Sequence, residues 1–248
     1  DLHVYDAGVP QKSASALVVA NIENLNDETP AFEQQRYETS VMENPEVIME
    51  AVAVLEQRDQ AAKANNDVTL AQNHAGQLHD DPNSWVGGNL EGDIIIVEFM
   101  DYKCGYCKKA YPEVAHLLTT DGNIRYIVKE FPILGDQSML AAQFAIATKL
   151  VAGDEAYETV HNTLMEFRGD ITPDMLTKLG ESLDLDTAAI TVEMEGAEVA
   201  KVINDNRLLG QAMQISGTPT FVVQDQMLRG YVPFDQMVQI VEQIRDAG

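Results

Sequence analysis

The feature that most constrains the fold is a short apolar run that leads directly into the only two cysteines of the chain. Residues 94–100 read Ile-Ile-Ile-Val-Glu-Phe-Met, and Cys104 and Cys107 follow in the order Cys-Gly-Tyr-Cys. After the cysteines, apolar residues recur at helical spacing, for example at Val114, Leu117 and Leu118. The pattern predicts a buried strand, then a helix whose first turn carries both cysteines.

This position predicts the chemistry of the pair. The unpaired N–H groups and the positive dipole end of a helix favour negative charge, so a thiol there should ionise below its ordinary pKa of about 8.5. We therefore predict that Cys104 is the attacking sulfur. Cys107, three residues further on, could close a disulfide with Cys104 or release a mixed disulfide. The residues predict a dithiol exchange site.

Three other interpretations of the cysteines stay open at this level. Half of a zinc site is one, although the chain has no second cysteine pair and His116 is the only nearby imidazole. A permanent structural disulfide is another, although so short a loop constrains little chain entropy. Two inert core thiols are the third.

A second signal lies far downstream. Ser216-Gly217-Thr218-Pro219-Thr220 comes directly before the apolar residues Phe221-Val222-Val223. A proline that opens a strand after a glycine is a candidate cis-proline, because only X–Pro bonds adopt the cis form at low cost. Pro219 is therefore predicted to be cis.

Together these stretches resemble the thioredoxin superfamily, and more closely its DsbA-like branch, over about residues 80–248. The matching stretches are Ile96–Cys107, Lys129–Gly135 and Gly217–Phe221. The resemblance implies an α/β thioredoxin fold with an inserted helical subdomain, preceded by an N-terminal helix and an irregular or strand-containing segment. It also implies a thiol–disulfide oxidoreductase of the periplasm or another extracytoplasmic compartment.

The resemblance also implies roles for individual residues. Cys104 would be the nucleophile, Cys107 the resolving thiol and Pro219 the cis-proline that faces their disulfide. Thr218 would offer backbone hydrogen bonds to a substrate strand. Glu98 stands where the family keeps a buried acid, which could pass a proton to or from Cys107. The alternative for Glu98 is a strand carboxylate that faces solvent.

The dipeptide between the cysteines favours one activity within the family. Gly105-Tyr106 resembles the Gly-Tyr of DsbC-type isomerases rather than the Pro-His of strong DsbA oxidants, and both residues are assigned to substrate binding. We therefore expect an enzyme that forms or isomerises disulfides. A monomeric dithiol oxidase and a thioredoxin-like reductase are the alternatives.

The chain before this domain divides into three predicted segments. Residues 1–44 resemble the junction of two cadherin repeats. The resemblance implies Asn26, Asp27 and Glu43 as calcium ligands. A calcium-dependent adhesion module is therefore the alternative function from another class of protein. Residues 45–64 are predicted as an amphipathic helix, and 65–92 as a linker and the loop leading into the domain at 93–248. The helical insertion is predicted at about 137–214.

The helix at 45–64 has two interpretations. It begins at Asn44-Pro45, a strong helix-start signal, and has one apolar stripe. The stripe would pack on the same chain's catalytic domain, or it would join copies of the chain through about 45–63, as in isomerases related to copper-sensitivity suppressor proteins.

Charge and composition exclude several functions. The chain has 16 Lys and Arg against 40 Asp and Glu, a net charge of −24, which repels nucleic acid and anionic lipid surfaces. It has no apolar run long enough to span a bilayer.

Neither a metal nor a nucleotide cofactor is expected, and the redox group is the Cys104–Cys107 disulfide. The expected partners are cysteine-containing protein substrates and a membrane redox protein that recycles the site. Histidines such as His161 show no paired spacing and are expected at the surface.

Overall fold

The computed structural model describes residues 42–247 of the chain. The predictions for residues 1–41, including the calcium ligands Asn26 and Asp27, lie outside this range. The chain divides into two compact units, Asp1–Arg58 and Asp59–Gly248. In the described part of the first unit, residues from Glu46 onward belong to a helix.

A five-stranded sheet forms the centre of the second unit. The strands are β1 (Trp85–Gly88), β2 (Ile94–Met100), β3 (Ile124–Glu130), β4 (Thr220–Val223) and β5 (Gln226–Arg229). Their order in the sheet is β1-β3-β2-β4-β5, in which β2 pairs in parallel with β3 and every other neighbouring pair is antiparallel. All but one residue of β2 and all but one of β3 are buried, because both faces of these inner strands are covered, and β2 is apolar except for Glu98.

The helices confirm the predicted fold class. The helices of the described residues are α1 (Glu46–Asn73), α2 (Ala75–His79), α3 (Gly105–Asp121), α4 (Asp136–Ala152), α5 (Asp154–Glu166), α6 (Pro173–Ser182), α7 (Thr187–Glu193), α8 (Ala197–Ala212) and α9 (Phe234–Ala247). The block α4–α8 lies between β3 and β4, where the helical insertion was predicted. In this described part of the chain, no helix is both long and apolar enough to cross a membrane.

Local capping explains where two inserted helices begin. The Thr172 side chain accepts a hydrogen bond from the backbone N–H of Met175, with Pro173 in the first turn of α6. The Asp186 carboxylate accepts one from the N–H of Ala189 at the start of α7. These caps satisfy N–H groups that would otherwise lack partners.

The segment 65–92 differs from the linker predicted for it. α1 continues through Asn73, α2 follows, and Trp85–Gly88 form an edge strand opposite β3. The polar composition of this segment was misleading because a surface helix needs few buried residues, and in α1 only Ala71 is buried. The division of the chain at 44, 64 and 92 stays a prediction.

The alternation of side chains along β2 separates two apolar clusters. Ile96 and Met100 lie in the cluster that contains both cysteines, whereas Val97 and Phe99 lie in the cluster on the other face of the sheet. Because side chains in a strand alternate between faces, Glu98 shares the face of Ile96 and Met100. The strand therefore directs this carboxylate toward the cysteine-bearing helix.

Candidate active site

The two cysteines lie at the start of α3, as the sequence predicts. Cys104 is the N-cap residue and Cys107 lies in the first turn. Both thiols are free, and their side chains differ in exposure, 7% for Cys104 and 0% for Cys107. The backbone N–H of Cys107 lies 3.4 Å from the Cys104 sulfur, and the Cys104 thiol lies 3.1 Å from the Thr218 carbonyl oxygen.

The surroundings of the two thiols shift their pKa values in opposite directions. A hydrogen bond from the Cys107 side chain is the largest cause that lowers the pKa of Cys104, to about 6. Hydrogen bonds from Thr218 and from the backbone of Cys107 and Tyr106 lower it as well, whereas burial opposes them. Burial raises the pKa of Cys107 far above its ordinary value, and its hydrogen bond to Cys104 and the charge of Glu98 raise it further. At neutral pH Cys104 is a thiolate and Cys107 is a thiol.

The predicted cis-proline is confirmed and lies beside Cys104. The Thr218–Pro219 peptide bond is cis, and in the thiol form of Cys104 the Thr218 carbonyl accepts a hydrogen bond from its sulfur. The Thr220 hydroxyl closes the turn by donating to the Gly217 carbonyl at 2.8 Å. The role of Thr218 and Pro219 in binding substrate stays a prediction.

The dipeptide between the cysteines is open to solvent. Both Gly105 and Tyr106 are exposed, and the Tyr106 side chain is 63% exposed. No atom lies within 4 Å of the position that a Cβ would occupy at Gly105. The Tyr106 ring lies 6.4 Å from that of Tyr231, over which the Lys109 ammonium stands at 3.9 Å. The role of Gly105 and Tyr106 in binding substrate stays a prediction.

Glu98 is buried below the cysteines, so the solvent-facing alternative is wrong. Its side chain is 1% exposed, and the Tyr126 hydroxyl donates to its Oε2. Oε1 has no hydrogen-bond partner among the residues described. Burial raises the pKa of Glu98 to about 8, although the Tyr126 hydrogen bond opposes this rise and the nearby Cys104 charge adds to it.

Asp101 connects two stretches that the sequence showed only as separate matches. Its buried carboxylate accepts hydrogen bonds from the backbone N–H groups of Lys103 at 2.7 Å, Ile133 at 2.9 Å and Leu134 at 3.0 Å. The aspartate therefore ties the segment before Cys104 to the loop after β3. Its position directly after a buried strand was the only sequence signal for it.

A second buried acid lies behind the cysteine segment. Glu130 accepts hydrogen bonds from the hydroxyls of Tyr102 and Tyr157, each at 2.7 Å, and burial raises its pKa to about 8. His161 Nδ1 lies 3.0 Å from the Tyr102 hydroxyl, and the ring stacks on Trp85. His161 is 3% exposed, so its predicted surface position is wrong. The sequence did not reveal this cluster, because its members come from three separate elements and from the turn before α3.

Three cations converge on the end of α5 near the cysteines. Lys108 donates to the carbonyls of Leu164 and Phe167, Lys103 to that of Gly169, and Arg168 to that of Met165. Burial, together with the charges of Arg168 and Lys103, lowers the pKa of Lys108 to about 8. These cations satisfy carbonyl groups at a helix C-terminus.

The zinc alternative gains no further ligand in the described part of the chain. His116 stacks on Phe234, with ring centroids 4.4 Å apart, and lies near the Thr120 hydroxyl. In residues 42–247, no group of three or more His, Cys, Asp or Glu side chains is placed to hold a metal ion.

Known proteins resemble this chain in two regions. The family model described as DSBA-like thioredoxin domain matches residues 95–242, and the model described as copper resistance protein ScsC N-terminal domain matches residues 41–62. A solved structure, a thioredoxin-like oxidoreductase from Silicibacter pomeroyi DSS-3, is 37% identical with a TM-score of 0.66. The similarity covers 70% of this chain and 98% of that one.

Two curated proteins are also similar. The Na(+)/H(+) antiporter NhaA 1 of Salinispora arenicola is 33% identical over 139 residues, which are 56% of this chain. The chain spans only 21% of that antiporter's length. Disulfide bond formation protein D of Bacillus subtilis is 24% identical over 167 residues, covering 62% of this chain and 74% of that protein.

The extent of these matches decides the family. The thioredoxin-domain model covers more than half of the 248 residues and includes both cysteines and the cis-proline. Its boundaries include β2 from its second residue onward, β3 to β5 and the helical insertion. This chain therefore belongs to the DSBA-like thioredoxin domain family.

Proposed function

We propose that this protein is a thiol–disulfide oxidoreductase that forms or isomerises disulfides in extracytoplasmic proteins. One observation carries the proposal: a thiol of low pKa, Cys104, lies at a helix N-terminus beside a buried thiol of high pKa, Cys107. This asymmetry suits a nucleophile and a resolving thiol.

The reaction follows from the two acidities. The Cys104 thiolate attacks a substrate disulfide, forms a mixed disulfide and releases the other substrate sulfur as a thiolate. A second substrate thiol then attacks the mixed disulfide and leaves the substrate isomerised, or Cys107 attacks Cys104 and releases the reduced substrate. In the oxidising direction, the Cys104–Cys107 disulfide accepts two electrons from a substrate dithiol, which becomes the disulfide. The redox group in this reaction is the Cys104–Cys107 pair.

The names of similar proteins support this class of reaction. One relative is called a thioredoxin-like oxidoreductase and another a disulfide bond formation protein. An extracytoplasmic compartment is oxidising enough to keep disulfides formed. There we expect cysteine-containing proteins as substrates and a membrane redox protein that recycles the cysteine pair. The adhesion alternative rests on residues 1–44, most of which lie outside the described range.

The first test measures the redox equilibrium of the cysteine pair in glutathione buffers, by alkylation of free thiols and mass spectrometry. A potential of about −120 to −180 mV indicates an oxidant or isomerase, and one near −270 mV a reductant. Cys104→Ser should abolish turnover of a disulfide substrate, whereas Cys107→Ser should accumulate mixed disulfides. Full activity in Cys104→Ser would contradict the proposal.

A second measurement separates isomerase from oxidase. Gly105-Tyr106 favours isomerase because it resembles the dipeptide of DsbC-type isomerases, and the residues between the cysteines tune how strongly the reduced pair is stabilised. An isomerase should restore activity to scrambled ribonuclease when its cysteines are reduced. A dithiol oxidase whose own cysteines are oxidised should instead restore activity to reduced ribonuclease. It should act poorly on the scrambled protein.

We propose further that copies of this chain associate through the first part of α1. Its apolar side chains Ile48, Val52 and Leu55 lie one helical turn apart and are 52%, 41% and 58% exposed. The match to the ScsC N-terminal model covers these positions. An exposed apolar stripe on a helix is the usual seam of helix association.

The mass in solution tests this association. By light scattering, the full chain should be an oligomer, and Ile48→Ser with Leu55→Ser should convert it to a monomer. The matched control is Glu50→Ser with Gln57→Ser, which changes two exposed residues on the opposite side of the helix. A monomeric wild-type chain would contradict the association and favour the monomeric oxidase.

A further inference from the structure

The two oxygens of the buried Glu98 carboxylate have different surroundings. Oε2 accepts a hydrogen bond from the Tyr126 hydroxyl, whereas Oε1 has no partner among the described residues. A buried carboxylate oxygen that no protein group satisfies makes the charged form of the side chain costly. Such a carboxylate is suited to exchange a proton through its free oxygen.

Tyr126 is held in place from two sides. It lies on β3 opposite Ile96 of β2, two residues from Glu98, and therefore on the same face of the sheet as Glu98. Its ring packs edge-on against Trp85, with centroids 6.3 Å apart, and Trp85 stacks on Tyr157. The Tyr126 side chain is 6% exposed. The tyrosine hydroxyl can therefore fix the orientation of the carboxylate.

We propose that Tyr126 is a positioning residue of the exchange reaction, which holds Glu98 so that Oε1 is the atom that exchanges a proton with Cys107. This inference rests on the proposed function and adds to it a residue outside the cysteine and cis-proline motifs. In this role Tyr126 acts through Glu98.

The step that Tyr126 serves is the release of the mixed disulfide. Oε1 of the Glu98 carboxylate takes the proton of the Cys107 thiol, and the Cys107 sulfur attacks Cys104. The bond between Cys104 and the substrate sulfur breaks as the Cys104–Cys107 bond forms. The electron pair leaves with the substrate sulfur, which becomes a thiolate. In the reverse direction, protonated Glu98 returns the proton to Cys107.

The titratable groups near Glu98 come from several elements. Cys104 and Cys107 belong to the start of α3 and Tyr126 to β3, and Tyr157 of α5 lies close enough for the charge of Glu98 to raise its pKa, although its hydroxyl donates to Glu130. The residues that pair with Glu98 across the sheet are apolar, Val128 on β3 and Phe221 on β4. Burial and the Cys104 charge raise the pKa of Glu98, and the Tyr126 hydroxyl opposes them. Removing the hydroxyl should therefore raise this pKa further.

The test is the pH dependence of mixed-disulfide release in Tyr126→Phe. The protein carries a glutathione mixed disulfide on Cys104, and stopped-flow kinetics follow the glutathione that Cys107 releases. The midpoint of the profile should move upward by about one pH unit, so that release is about tenfold slower below the midpoint. The pH midpoint of Cys104 alkylation should not move. If Tyr126 had only a structural role, its loss would change both the release profile and the alkylation profile, or neither.

Two further variants make the test specific. Tyr157→Phe removes another buried tyrosine hydroxyl, one that donates to Glu130 rather than to Glu98, and should leave the midpoint at its wild-type value. In a Glu98→Gln background, which removes the proton acceptor, Tyr126→Phe should cause no further change in release. An unchanged midpoint in Tyr126→Phe, or an equal shift in Tyr157→Phe, would overturn the inference.

A measurement on the unsubstituted side chain covers the case in which Tyr126→Phe does not fold. In protein with ¹³C-labelled tyrosine, the ring Cζ resonance of Tyr126 should titrate with Glu98, and this titration should disappear in Glu98→Gln. A Tyr126 resonance that does not respond to pH in the wild type would overturn the inference. Absence of disulfide exchange in the wild type would instead overturn the proposed function, so the two failures are distinguishable.

Discussion

At the scale of single residues, the cysteines differ in how well their surroundings accept a negative charge. Cys104 caps a helix and receives hydrogen bonds, whereas Cys107 is enclosed by apolar side chains and faces the charge of Glu98. Because the pKa of Cys104 lies below neutrality and that of Cys107 lies above its ordinary value, only one sulfur is a nucleophile at neutral pH. The order of attack is thus a property of burial and hydrogen bonding.

We expect iodoacetamide to react with the reduced protein once per chain, at Cys104. The rate of this reaction should have its pH midpoint at about 6. Because this folded-state pKa lies below the unfolded value, ionisation of Cys104 stabilises the reduced protein. This stabilisation is complete at pH values above the ordinary thiol pKa. That stabilisation is lost as the pH falls through about 6. The difference in unfolding free energy between wild type and Cys104→Ser should follow this course. A midpoint near 8.5, the value of a free thiol, would contradict it.

Glu130 predicts a pH dependence of the opposite sign. Its folded-state pKa, about 8, lies above the unfolded value, so folding retains a proton that the unfolded chain releases. The free energy of unfolding should be highest below the unfolded pKa and fall as the pH rises through about 8. Glu130→Gln should flatten this fall by up to about 1.4 kcal/mol per pH unit. Urea denaturation across this range tests it, and equal slopes in both proteins would refute it.

At the scale of elements, helix α8 approaches the loop after β3 closely enough to require a glycine. A Cβ at Gly210 would lie 2.5 Å from the ring of Phe131, which packs edge-on against Phe99. Contact at that distance forces the helix or the ring to move. The glycine is therefore part of the packing between the inserted helices and the sheet.

Gly210→Ala should lower the free energy of unfolding by about 1–3 kcal/mol, the usual cost of overpacking a core. The matched control is Gly76→Ala in α2, where no atom lies within 4 Å of the new Cβ. That change should raise stability by about 0.5–1 kcal/mol, because alanine favours a helix more than glycine does. Thermal denaturation of both variants measures the contrast. Equal effects would show that backbone propensity, and not packing, decides at Gly210.

At the scale of the whole thioredoxin unit, one arginine connects distant parts of the chain. Arg245 of α9 donates two hydrogen bonds to Asp93, which comes before β2, and two to Asp121 at the end of α3. The guanidinium forms a planar fork that a lysine cannot replace. The interaction therefore ties the C-terminal helix to elements more than 100 residues earlier.

Arg245→Ala should lower the free energy of unfolding by about 1 kcal/mol at low ionic strength, in the upper range for partly exposed ion pairs. The loss should shrink at about 1 M salt, where charges are screened over about 3 Å. Arg245→Lys should recover less than half of it. Urea denaturation at both ionic strengths measures these values, and a loss independent of salt would show that packing of the side chain dominates.

Local spacing by itself determined much of this molecule. The strand before Cys104, the helix after Cys107, the cis form of Pro219 and the inserted helices all follow from neighbouring residues. Hydrophobic periodicity and capping act within a few residues, so a sequence displays them directly. The extension of α1 to Asn73 was missed because its residues are polar and it needs little burial.

Only the tertiary structure decided which side chains share the buried space behind the cysteines. Glu98 and Tyr126 come from different strands, and Glu130 and His161 from a strand and a helix 31 positions apart in the chain. Whether such a carboxylate is buried, and which hydroxyl it accepts from, depends on strand register and helix docking over the whole domain. The free energy of its charge depends on those neighbours rather than on its neighbours in sequence.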